Sequence, residues 1–267
     1  MRQEYPFWKP FIALSVLGLI GTISLLFTTL PQLDQIIDLQ PELAELPIPL
    51  IAIILLLQPM VLLLIANVIG CLVAPRVGLV SFIYEKAAFG TQVLPRLKPQ
   101  LILAIVLGLI FAVVVVVLDL AFMPFMGEEF AAIAAQDTNL LAQLGMGFLY
   151  GGIAEELLLR WGIMSLLVWL GWKLLGRSGD RPPRGVVWTA VFLAAILFGI
   201  GHLPALAAMV PLTGIIVVRT VFLNFIGGVI FGWLFWRHSL EAAMVAHAFT
   251  HVGFFIVSVL TLAFNGA

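Results

Sequence analysis

The chain has 267 residues, of which 63% are hydrophobic and 10% charged, and its formal net charge is -1. Water-soluble domains run at roughly 45–50% apolar and about 25% charged residues. A soluble core of this length cannot hide so much apolar surface, so lipid is the solvent; the net charge itself says nothing about partners, and no nucleic-acid partner is expected.

The expected fold class is all-α: a polytopic membrane bundle of about seven spanning helices, or eight with a re-entrant or interfacial helix, since roughly 20 apolar residues cross a bilayer as a helix. The start, MRQEYPFWKP, has no small-residue cleavage site after a short apolar core, so Phe11–Leu30 reads as a retained span. In chain order the candidate spans are residues 9–30, 48–73, 100–123, 141–173, 186–203, 213–236 and 240–264. Pro59 is expected to kink the second, whose apolar run also holds the single cysteine, Cys71, with no partner for an internal disulfide. The fourth exceeds the bilayer thickness and is expected to project from it or to break at Gly151–Gly152. No repeat or soluble domain interrupts the pattern. Residues 1–267 form one membrane domain, with residues 1–140 the less recognisable helices and 141–264 the part that carries chemistry.

The connections alternate in charge. Residues 31–47 carry Asp34, Asp38, Glu42 and Glu45 with no base, and 124–140 carry Glu128, Glu129 and Asp137. Residues 74–99 carry Arg76, Lys86, Arg96 and Lys98 against Glu85, and 173–185 carry Lys173, Arg177, Arg181 and Arg184 against Asp180; Arg237 marks a further basic turn. Cytoplasmic loops favour Lys and Arg, which predicts a cytoplasmic N-terminus and, after seven spans, an external C-terminus. Arg160 and Arg219, within apolar runs, are the two exceptions.

An ionisable group at the centre of a bilayer costs about 2.5–3.5 kcal/mol on insertion scales, so each one there needs a reason. The fourth span holds Glu155, Glu156 and Arg160, the fifth His202, and the seventh His247 and His251. In an α-helix, successive residues lie about 100° apart, so Glu155 and Glu156 point differently. Glu156 stands four before Arg160, in the favourable order for an ion pair. That makes Glu156–Arg160 the structural pair and leaves Glu155 to act elsewhere; the bland alternative has both carboxylates merely neutralising the arginine. His202 follows Gly199 and Gly201 and precedes Pro204, which should end the helix nearby; a lone helical histidine is more often a satisfied core residue. His247 and His251 share one face, suited to a metal, to two hydrogen-bond donors, or to a polar interhelical contact. The zincin pattern is absent because Ala stands at 248.

Glu155–Arg160 as EExxxR, Phe198–His202 as FxxxH and His247–His251 as HxxxB, each within an apolar run and in this order, resemble the CPBP intramembrane proteases. That family includes the type II CAAX prenyl endopeptidases and the Abi-type proteins. Residues 224–233 and 237–240 are similar to the segment that precedes the family's last motif, and the likeness spans about residues 145–255. It implies an intramembrane endopeptidase with Glu155 as general base, His202 holding the water, and His247 and His251 stabilising the oxyanion. His251 stands where Asn is frequent. Glu155, His202, His247 and His251 are also acceptable zinc-ligand types, so zinc is the alternative cofactor to a favoured metal-free mechanism. Two other classes compete: a proton-coupled transporter using the same Glu and His as a relay, and a non-catalytic scaffold or immunity factor. A prenylated CAAX tail, a leader peptide or a membrane-bound regulator would all suit a cavity open to lipid. One check does not close. Counted from the cytoplasmic ends, His251 lies roughly 16 Å deep and Glu155 roughly 27 Å.

Overall fold

A computed structural model describes residues 5–39, 41–128, 130, 139–176 and 179–265. Glu129, Asp137 and Arg177, counted above among the loop charges, lie outside the described residues. Helix is the only regular structure among the described residues, as hydrocarbon demands when it offers backbone groups no other partner. Six helices are long and apolar enough to cross a membrane: Trp8–Gln32, Ile48–Val73, Leu94–Phe125, Arg184–Ala207, Gly214–Arg237 and Leu240–Phe264. The chain is a polytopic all-α membrane protein, and its exposed large side chains, such as Ile53, Leu57, Ile102 and Val117, form the lipid-facing surface.

We label the main helices α1 (Trp8–Ile23), α2 (Ile48–Val73), α3 (Phe82–Phe89), α4 (Leu94–Phe122), α5 (Leu140–Leu174), α6 (Arg184–Gly201), α7 (Leu203–Ala207), α8 (Gly214–Arg237) and α9 (Leu240–Asn265). The third span begins earlier than expected, so Arg96 and Lys98 sit on the first turns of α4 rather than in a loop. The fourth candidate run is α5, and the break expected at Gly151–Gly152 does not occur. Helix continues through both glycines, wound as π-helix over Gly147–Glu155 and again over Leu157–Met164, between α-helical ends. Runs of i→i+5 bonding this long are rare; most π segments are single-turn bulges, frequently at functional sites.

α5 packs against α1, α2, α6, α8 and α9, so it forms the middle of the bundle. Small residues permit the approach. A Cβ on Gly21 of α1 would stand 2.6 Å from the Leu149 carbonyl oxygen, and one on Gly162 would stand 2.6 Å from Ala66 Cβ of α2. α6 and α8 meet where Gly228 faces Ala195 and Gly199 faces Val221.

Two polar ties fix the rest. Arg219 of α8, one of the exceptions to the charge pattern, pairs with Asp119 of α4 at 2.5 Å. At the start of α9, the buried Glu241 carboxylate accepts from Ser81 Oγ (2.7 Å) and from the Phe82 and Ile83 amides (3.0 and 2.9 Å). It thereby caps the N-terminus of the short helix α3.

Candidate active site

The FxxxH segment is a helix terminus. The His202 amide turns early to the Gly199 carbonyl (3.2 Å), which leaves the Phe198 carbonyl to the His202 ring, with Nδ1 at 2.8 Å. Pro204, with no N–H to continue the ladder, stands at the start of α7. The motif therefore closes its own last turn and aims His202 Nε2 outward. Gly201 beside it has open space, whereas Gly199 is used for helix packing.

The EExxxR segment lies where the two π runs of α5 meet. Arg160 Nη1 is 3.0 Å from Glu156 Oε1, both side chains almost wholly buried. The guanidinium lies 4.7 Å from the Phe198 ring centre and 5.2 Å from that of Phe231. Removing one member of such a pair strands a buried charge at a cost of about 3–5 kcal/mol, and the pairing is the one the spacing suggested.

Glu156 also does something the spacing did not foretell: its Oε1 lies 2.8 Å from His247 Nδ1 of α9. The His247 ring is sandwiched between Phe231, stacked at 4.6 Å, and His251, stacked at 5.3 Å. The two histidines fit because α5 presents glycine there. A Cβ on Gly151 would stand 2.8 Å from His251 Nε2 and 3.2 Å from His247 Nε2.

Glu155 points into the space that remains. Its Oε1 is 3.9 Å from His202 Nε2 and its Oε2 is 3.8 Å from His247 Nε2. These separations exceed a direct hydrogen bond. The side chain of Glu155 is 16% exposed against 0% for Glu156, and that of His202 is 37% exposed, so the site opens on the His202 side. Glu155, His202 and His247, drawn from three helices, thus meet around one space, with His251 stacked on His247 beside them.

The hydrogen bonds assign the protons. The Phe198 carbonyl can only accept, so His202 carries Nδ1–H; the arginine-paired Glu156 carboxylate accepts as well, so His247 carries Nδ1–H. As neutral rings, both present an Nε2 lone pair to Glu155. The contacts of His251 are ring contacts, with His247 and Phe254, and no hydrogen bond from a described residue fixes its tautomer.

Among the described residues, no group of three or more His, Cys, Asp or Glu is placed to hold a metal ion. The aromatic cradle of Phe198 and Phe231, the His247–Glu156 contact and the Asp119–Arg219 pair were missed in the sequence. Phe198 left a signal there as the first letter of its motif, Phe231 lay in the family-like segment 224–233, and Arg219 stood out as a base within an apolar run.

Residues 137–253 match the family model of the type II CAAX prenyl endopeptidase Rce1-like proteins. Neither the curated proteins nor the solved structures yield a match.

Proposed function

From the match of residues 137–253 to the type II CAAX prenyl endopeptidase Rce1-like family, we propose an intramembrane endopeptidase in which Glu155 activates water for attack on a peptide carbonyl. The observation that carries this reading is the position of Glu155, a carboxylate with one oxygen toward each of two histidine nitrogens, 3.9 and 3.8 Å away. Water entering between Glu155 and His202 gives a hydrogen bond to each: the carboxylate takes the proton, and the His202 Nε2 lone pair orients the second hydrogen. The hydroxide left behind attacks the carbonyl carbon. His251, free to hold Nε2–H, donates to the oxyanion.

General base help contributes about 10²–10⁴-fold, and one oxyanion donor about 10²–10³-fold. The substrate is a membrane-associated peptide or protein, with a prenylated tail the first class to try. The N-terminus is cytoplasmic.

The test is Glu155→Gln, which keeps size and hydrogen bonding but not basicity. Turnover should drop at least about 100-fold while the protein still inserts and folds. Activity persisting in the pure, folded variant would remove Glu155 from this role. Comparing the membrane peptidome of a deletion strain with that of a Glu155→Gln strain identifies the substrate. Elemental content and chelator sensitivity of the wild type test the metal-free reading.

A further inference from the structure

The tautomers leave a task undone. A peptide bond breaks only if its nitrogen gains a proton, and the oxyanion donor His251 cannot supply one without losing its own role. His247 is placed for it. Its Nε2 lone pair lies 3.8 Å from Glu155 Oε2, and its Nδ1–H lies against Glu156 at 2.8 Å.

We propose that Glu156 is a positioning residue of the hydrolysis, holding His247 so that its Nε2 carries the proton from Glu155 to the leaving amine. This rests on Glu155 being the base. In sequence, water gives one proton to Glu155 and its hydroxyl to the carbonyl carbon. Glu155 passes that proton to His247 Nε2, and the ring becomes an imidazolium whose second N–H remains on Glu156. As the oxyanion collapses, the C–N bond breaks with its electron pair going to nitrogen, and nitrogen takes the Nε2 proton. One water is consumed, one acid and one amine are formed, and Glu155 and His247 return to their starting states. Glu156 carries the negative charge that faces the imidazolium, the part a buried carboxylate plays behind a histidine in other hydrolases. Arg160, whose guanidinium lies against the Phe198 and Phe231 rings, pairs with that carboxylate at 3.0 Å and fixes its place.

The arrangement assigns different tasks to two adjacent glutamates. It also differs from the sequence reading of His247: a neutral ring with Nδ1–H committed to Glu156 has no second N–H for the oxyanion.

The experiment uses the full-length protein and a prenylated Cys-aliphatic-aliphatic-X peptide made twice, once with its scissile amide and once with an aryl ester there. An amine needs a proton to leave and a phenolate does not. In Glu156→Gln, kcat on the amide should fall about 100-fold with KM unchanged, and the ester rate should stay within about threefold of wild type. That variant strands Arg160, so His247→Gln, which keeps the Glu156–Arg160 pair, is measured beside it and should show the same split. Equal losses on both peptides in His247→Gln, or no loss on the amide, overturn the assignment. A wild type that cleaves neither peptide, no faster than Glu155→Gln, overturns the hydrolase reading and this one with it.

Discussion

Gly151 is the smallest side chain at the site and one of the most constrained. The ideal Cβ position at Gly151 falls 2.8 Å from His251 Nε2, inside van der Waals contact, while that at Gly201, next to His202, has nothing within 4 Å. Gly151→Ala should therefore push the His251 ring aside and lower turnover about 10- to 100-fold, the size of losing one oxyanion donor. Gly201→Ala should leave turnover within about twofold, since a methyl in open space displaces no catalytic group. Equal rates in the two variants, measured on protein of matched fold, would contradict the placement of His251. Some of this scale was legible beforehand. Glu156–Arg160 follows from a spacing of four on one helix, because helical neighbours are fixed by local geometry. The bond from Glu156 to His247 spans 91 positions, and no local rule reaches so far. The tautomers that depend on it were out of reach for the same reason.

Among the elements, the π-helical core of α5 departs most from expectation. Apolar periodicity locates a helix but does not choose between i→i+4 and i→i+5 bonding, which here accompanies close packing on α1, α2 and α9. The two glycines that suggested a break are instead the places where neighbours come closest: Gly151 beneath His251 and Gly152 against Ala248. The second element-scale feature is α3, whose N-terminus is held by Glu241 through three donors. In the sequence, Glu241 is only an acid in the first turn of a span; its partners lie some 160 positions earlier. Hydrogen bonds to a charged group contribute about 1.5–3 kcal/mol each, and two of these donors are backbone amides that would be left unpaired. Glu241→Ala should lower stability by about 4 kcal/mol or more and release α3 from α9. Thermal unfolding in detergent reads the first effect, and hydrogen exchange at residues 82–84 the second. An unchanged exchange rate there would mean that α3 is held by packing alone.

For the whole molecule, composition announced the membrane and the apolar runs located six spans, five within about four residues and the third starting six residues earlier than expected. The loop charges make a further claim, about direction. Lys86 on α3 is exposed, and Glu42, between α1 and α2, is exposed as well; the positive-inside tendency puts the first in the cytoplasm and the second outside. The only native cysteine, Cys71, is 2% exposed, so it gives little background to thiol labelling. On intact cells, a membrane-impermeant maleimide should label Glu42→Cys and spare Lys86→Cys until the membrane is opened. The reverse pattern would invert the bundle. Direction matters to the chemistry because α3 is tied through Glu241 to the start of α9, the helix that carries His247 and His251 two and three turns later. If α3 lies at the cytoplasmic surface, both histidines descend from that face, and a substrate anchored in the cytoplasmic leaflet has the shorter path to Glu155.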